Sequence, residues 1–433
     1  MTRLLAAAAA VPIPTEVGYG PGSPLPPSQE AELRASALVL QAEERFCFIS
    51  CDTLVVPRDV LEWAAAEVSA RCGIAPGNLM ICATHTHHAP CTIDILGCTR
   101  DAEFCDRIGP AILSAAEQAC DALEGAAEAE LRFSESQEAS VGGNSRYLLR
   151  DGTIAWYAYP WEDVVRPTGP FDPDIPVLSV RRPDGEVVGN LFSHSVHNIG
   201  PLTRGKLSPA FQGLTAQEVS RRHGGVTLFL PGAFGSSHNT SEFGTGPRTC
   251  SVSGAECVHR MVRAVEDGLQ RAERFSSPKL LARKRPFTYR LRHFDEAGES
   301  AAVEYWANAY TPDNPRPLQD TFARMREQMA PVQGQERETT LQVMLLGDVA
   351  LVGVPCEMFA ALGLEIRRRS PFRHTYVIGL ANDTIGYVGD RASYELGGYQ
   401  LWAGLHSLSE PGTGEAMVQQ AVEMLQELQG AVC

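Results

Sequence analysis

No hydrophobic run in this 433-residue chain reaches the roughly 20 residues that a helix needs to cross a bilayer, so no integral membrane segment is expected. Positive charge is also scarce: 37 Lys and Arg stand against 52 Asp and Glu, a formal charge of -15, and the pI is near 5.2. That balance repels phosphate and argues against nucleic acid or an anionic membrane surface as a partner. Internal repeats, low-complexity linkers and breaks in composition are all missing, so residues 1–433 read most simply as one integrated domain. The 12 cysteines lack paired spacing, and Cys82 and Cys356 sit inside apolar runs. This is the usage of reduced, buried thiols and implies a cytoplasmic setting rather than a disulfide framework. Arg3 followed by Leu4 to Val11 has the charge and small residues of a secretory leader. One arginine is a weak charged region, however, and the run passes straight into Pro12-Ile13-Pro14, so secretion is the lesser expectation.

Against these absences stands one dense stretch, NLMICATHTHHAP from Asn78 to Pro90, which gathers three of the 11 histidines. Leu79 to Ala83 is too short for a helix of its own and reads as a buried strand. Alternation beyond it places His85 and His87 on one side and Thr86 and His88 on the other. Two imidazoles delivered from a strand end can converge on one ion and its water, imidazole being the commonest side-chain ligand of zinc and its neighbours. A second delivery comes from Ser193-His194-Ser195-Val196-His197, which follows the hairpin signal Pro183-Asp184-Gly185. Near the other end of the chain, Val354-Pro355-Cys356-Glu357 closes a very apolar run. A carboxylate there is costly to bury unless it is paired or bound to metal, or held by the N-terminus of the helix that follows. Asp52, just past the strand Phe46 to Ser50, could face the same site or simply cap a turn.

The elements between these points alternate. A Pro/Gly-rich turn, Gly18 to Pro27, precedes two strands. Pro57 to Cys72 has helical spacing and leads to the histidine strand, and Ala102 to Leu123 is a second helix. Strand-like pieces fall near Ala129 to Phe133 and Thr153 to Tyr159. Leu207-Ser208 opens a helix, followed by the strand Val226 to Leu230 and the small-residue loop Pro231 to Ser237, where backbone N–H groups could approach a ligand. The final third repeats the alternation, with Asn382, Tyr387, Tyr394 and Tyr399 set among glycines and a last amphipathic helix from Gly414 to Leu428. Strand, helix, strand in this order implies an α/β fold.

THTH at 84–87, NLFSH ending at His194, LSPAFQG at 207–213, PGAFG at 231–235, VPCE at 354–357 and GLAN followed by YELGGY occur in an order that resembles the catalytic domain of the neutral ceramidase family. The resemblance implies an α/β architecture of two stacked mixed β-sheets flanked by helices. It also implies a zinc-dependent hydrolase of a small-molecule amide, with zinc held by His85, His194, Glu357 and Tyr394. His87 would exchange the proton of the metal water, Arg146 would face the substrate amide, and Asn382 and Tyr399 would line the substrate. An ester or lactone hydrolase on the same site, an iron centre, or a metal-binding protein without hydrolytic function are the alternatives. The family carries a further C-terminal immunoglobulin-like domain, whereas this sequence stops after one helix at Cys433. The family's GDxSPN loop is replaced here by Gly235-Ser236-Ser237-His238-Asn239, and His88, His197 and His238 are additional imidazoles. These departures imply a substrate smaller than ceramide and room for a second metal.

Overall fold

The computed structural model describes residues 3–16, 26–156, 159–239, 252–275 and 279–432; most of the turn expected over Gly18 to Pro27 lies outside them. Three larger sheets form the frame, in strand order 5–12, 34–41, 45–51, 79–83, then 226–231, 187–194, 174–181, 130–137, 273–274, and finally 280–290, 336–346, 349–353, 374–378. Each sheet mixes directions in the same way. It holds one parallel pair, Arg45–Cys51 with Leu79–Ala83, Val187–His194 with Val226–Pro231, and Val349–Gly353 with His374–Ile378, and its remaining pairs are antiparallel. A parallel pair needs a crossover, usually a helix. The three crossovers contain the helices Arg58–Cys72, Ala210–His223 and Ala360–Arg369. The molecule is therefore built on three β-α-β units whose sequences do not repeat.

Side-chain alternation settles how the sheets stack. In the first sheet Ala37, Val39, Cys47, Ile49 and Ile81 point to the helices Arg58–Cys72 and Ala102–Asp121, while Leu38, Leu40, Phe46, Phe48 and Met80 point the other way. In the third, Val343, Leu345 and Val352 face the helices Ala360–Arg369 and Thr413–Val432, and Met344, Leu346 and Leu351 face inward. Inward residues of both meet Leu131, Leu178, Leu191 and Leu228 of the second sheet in one shared core. The outer face of that second sheet is covered by the helices Ala210–His223 and Gly254–Arg271. Each fully buried Leu or Phe here contributes about 1.5–3 kcal/mol. The first and third sheets join edge to edge through one bridge, Cys82 with Ala381. The result is two stacked mixed layers flanked by helices.

Leu5–Pro12, with its leader-like composition, is a strand paired along its whole length with Arg34–Gln41. The strand expected over Thr153 to Tyr159 does not form among the described residues of that range. Residues 157 and 158 lie outside the described set, and the pairing in this region belongs instead to Tyr147–Leu149 with Val164–Pro167. The aromatic residues here are drawn into a separate cluster with Trp306, Phe322 and Tyr399, and that packing overrides local strand preference. No described helix is long and apolar enough to cross a membrane.

Asp52 accepts from the Arg34 N–H at 3.0 Å and from the Thr84 hydroxyl at 3.1 Å, which ties the histidine loop to the first sheet. Burial raises its pKa from 3.8 to about 7, outweighing the opposing Arg34 and Thr84 hydrogen bonds. Its stabilising contribution is then fully present below the unfolded value and is lost as pH rises through the folded one, a loss on the order of 4 kcal/mol. Urea unfolding between pH 4 and pH 8 should show this decline, and Asp52→Asn should flatten it.

Candidate metal centre

In α/β sheets, ligand sites lie outside the carboxyl ends of the strands, and here the parallel pairs deliver almost every candidate side chain from those ends. Leu79–Ala83 leads to His85 and His87. The pleat does not simply continue, because His85 has a left-handed backbone with φ 60°, an uncommon conformation for a non-glycine residue. Val187–His194 leads to His197. Val349–Gly353 and His374–Ile378 lead to Glu357 and Tyr387, which pair again as parallel neighbours.

His85, His87 and His197 each offer a ring nitrogen within 4.8 Å of the others, a group that could hold a metal ion. Their ring centroids are 4.8 Å (85–87), 5.1 Å (85–197) and 5.8 Å (87–197) apart. The orientation of two of the rings is fixed by main-chain carbonyls. His85 Nδ1 is 2.9 Å from the Leu54 carbonyl oxygen, and His197 Nδ1 is 2.9 Å from that of Ser237 and 3.2 Å from that of Phe234. Carbonyls only accept, so each Nδ1 carries the hydrogen and each Nε2 turns a lone pair inward. Those lone pairs meet the carboxylate of Glu357, whose Oε2 lies 3.4 Å from His85 Nε2 and 3.1 Å from His197 Nε2. The Tyr387 hydroxyl stands 3.0 Å from His197 Nε2. Acceptors converging in this way fit a cation at their centre.

The electrostatics call for positive charge in that arrangement. Burial alone would raise the Glu357 pKa, and it is held well below the usual carboxylate range only when His85 and His197 turn a proton toward it; with their lone pairs turned inward a cation must take that place. Burial pushes the His197 pKa down and the Tyr387 pKa up. The N–H groups of Phe359 and Ala360, where the following helix begins, are bonded elsewhere and do not hold the carboxylate. The Phe359 N–H donates to the Val388 carbonyl and the Ala360 N–H to Ser236 Oγ. His87 is accessible from the cleft, and protein encloses it on its other sides. That enclosure, with His85 and His197 beside it, keeps its pKa well below 6.5, so it is a neutral base at physiological pH.

Several expected residues lie elsewhere. His194 ends its strand facing the outer, helix side, where Nδ1 is 3.1 Å from Gln212 Nε2 and Nε2 is 3.1 Å from the Glu138 carbonyl. Both nitrogens are committed, and the Ser195-Val196 turn carries the chain across so that His197 takes the inward place. Tyr394 lies on the short helix Arg391–Leu396 with its hydroxyl 3.2 Å from the Ser409 carbonyl, and Tyr387 stands by the imidazoles instead. Arg146 is buried rather than open to a substrate. Its guanidinium donates to Gln400 Oε1 at 2.9 Å and to the carbonyls of Gly397 at 2.6 Å and Ser393 at 3.2 Å, which clamps the segment carrying Tyr399. Asn382 stitches the two joined sheets, accepting from the Ile81 N–H at 3.1 Å and donating to Gln342 Oε1 at 2.7 Å. Tyr399 is close to the site but buried, bonded to His238 Nε2 at 2.9 Å and stacked on Trp156 at 4.3 Å. His88 Nε2 accepts the Gly200 N–H.

A cavity of about 340 Å³ opens on His85, His87, Glu357 and Tyr387, and the rest of its wall is mainly apolar: Leu54, Val55, Ile93, Ile95, Leu96, Leu405 and Leu408. A larger one, about 450 Å³, lies by Tyr394 and Trp306 and is reached by none of these imidazoles. Chemistry rather than size thus marks the first as the functional cleft.

The fold and this cluster together define an α/β protein with a strand-end group of imidazoles that could hold a metal ion. The chain matches no protein-family model and no curated protein. Among solved structures it is similar to neutral ceramidase from Pseudomonas aeruginosa, at 18% identity and TM-score 0.71, covering 100% of this chain and 75% of that one. It is likewise similar to a ceramidase complexed with C2, at 19% identity and TM-score 0.72, covering 100% of this chain and 76% of that one. At such identities the likeness is one of fold.

Proposed function

We propose that the protein is a metal-dependent hydrolase of an N-acyl amide, with zinc as its metal, held by His85, His197, Glu357 and Tyr387. The observation that carries this reading is the meeting of two inward-facing imidazole nitrogens with a buried carboxylate oxygen at 3.1 and 3.4 Å, a set of acceptors that only a cation or an added proton reconciles. The names of the similar structures, both ceramidases, support the amide. A bound zinc ion supplies Lewis acidity and lowers the pKa of water toward about 7. His87, neutral and open to the cleft, takes the proton from the attacking water and returns it to the departing amine. The apolar wall of Ile93, Ile95, Leu96, Leu405 and Leu408 receives the acyl chain and keeps bulk water from the amide.

Elemental analysis of the purified protein should find close to one zinc per chain. Dialysis against a chelator should abolish hydrolysis of an N-acyl amide with a medium-length chain, and added zinc should restore it. Iron in place of zinc, or cleavage that persists without metal, would reject the proposal.

A further inference from the structure

The larger cavity, about 450 Å³, shares no lining residue with the imidazole cleft. Its wall comes from the turn at residues 152–154, the helix Glu296–Tyr310 and the segment 394–402, together with Arg292. Arg292 and Trp306 are 9% and 1% exposed. Arg292 donates from Nη1 to the Leu401 carbonyl at 2.5 Å and from Nη2 to Glu299 Oε1 at 3.3 Å. Its Nε, like the Trp306 indole Nε1, has no acceptor among the described residues. Both side chains are held in place. The guanidinium lies over the Tyr394 ring, 5.4 Å from its centroid, and Trp306 packs on Tyr310 with centroids 4.1 Å apart. Buried N–H groups are nearly always satisfied, so two unmet donors on residues bordering one cavity call for acceptor atoms from outside the chain. A buried water needs about two to four polar partners, whereas Ile154, Tyr394, Leu396, Leu401 and Trp402 give this cavity a substantially apolar and aromatic surface.

We infer that this cavity is a second ligand site, for an uncharged aromatic molecule that carries a carbonyl group. The unmet groups are donors, so the ligand must bring an acceptor, and a carbonyl oxygen has a lone pair for each of them. Charge narrows the choice further. Arg292 is already paired with Glu299, and Asp295 lines the same cavity, so one positive charge stands against two negative ones and an anion gains nothing by entering. A cation would bring further donors and leave the Arg292 and Trp306 N–H groups unmet. An aromatic body suits walls that include the rings of Tyr394, Trp306 and Trp402. The volume lies within the range of small-molecule sites.

The site is independent of the hydrolase reading, and its test uses a ketone that an amide hydrolase cannot cleave. The full-length protein is titrated at pH 6.5 with para-hydroxyacetophenone while its indole N–H signals are followed by NMR; the Trp306 signal is the one lost in Trp306→Phe. That signal should shift with a dissociation constant on the order of 1 mM, ordinary for a ligand of this size. The analogue para-ethylphenol, which keeps the ring and drops the carbonyl, should bind about tenfold more weakly, and para-hydroxybenzoate no better than that. Ala302 lines the cavity from an exposed helix position, so Ala302→Phe should fill the space and remove binding of the ketone with the Trp306 indole retained. A Trp306 signal unmoved by the ketone, either analogue binding as tightly as the ketone, or Ala302→Phe binding it like the unaltered protein would each overturn the inference.

Discussion

Replacing His197 with alanine is expected to strip the metal from the protein, whereas replacing His194 is not. His197 places Nε2 3.1 Å from the Glu357 carboxylate and 3.0 Å from the Tyr387 hydroxyl, so its loss opens the centre of the cluster. A metal site supplies several kcal/mol of transition-state stabilisation, and each 1.36 kcal/mol is tenfold in rate, so activity should fall by about 1,000-fold or more. His194 has both nitrogens engaged with Gln212 and the Glu138 carbonyl. Its alanine variant should lose about 1–3 kcal/mol of stability, by leaving buried partners unsatisfied, while retaining its metal. Zinc content by elemental analysis, measured beside urea unfolding, separates the two. If His194→Ala lost the metal and His197→Ala kept it, the site described above would be wrong.

The second large effect is expected from Gly235→Ala, a change that touches no candidate ligand side chain. The Gly235 N–H donates to the Met358 carbonyl at 2.8 Å, and a Cβ at this position would run into the main chain of Glu357 and Met358. Backbone cannot rotate away as a side-chain tip could, so the short strand bearing Glu357 must shift. Overpacking of this kind costs about 1–3 kcal/mol, and misplacing a reacting group by about 1 Å costs on the order of 100-fold in rate. Both losses should appear together in unfolding and in hydrolysis assays, with metal affinity reduced. A variant with wild-type zinc affinity and rate would show that this loop does not set the position of the carboxylate.

The candidate residues that the sequence singles out and the structure gathers into one cluster are those that follow an apolar strand. His85, His87 and Glu357 were visible in this way because a polar side chain directly after a fully buried run must face either a partner or the rim of the sheet. His197 was harder to see, because it lies three residues beyond the strand end and the motif stops at His194. Only the direction of the pleat, set by the helix that covers the outer face, decides between the two. Tyr387 and Tyr394 are both tyrosines near glycines, and the parallel pairing of Glu357 with Tyr387, which selects one of them, is a long-range contact without local signature. Arg146 and Asn382 carry the polar groups a substrate would want, but their burial among main-chain partners comes from tertiary packing. The three β-α-β units were not visible as a repeat because their sequences share no pattern.

The edge-to-edge seam between the first and third sheets has a consequence for how the molecule would lose its activity. One backbone bridge, Cys82 with Ala381, the Asn382 side chain and the Gln342 amide on the Gly77 and Leu79 carbonyls join, along this edge, two sheets that bring His85 from one flank and Glu357 from the other. Partial opening along that line would part the imidazole from the carboxylate while leaving every helix intact. Inactivation on warming would then precede any change in secondary structure, and a cation gripped from both flanks would act as a rivet across the joint.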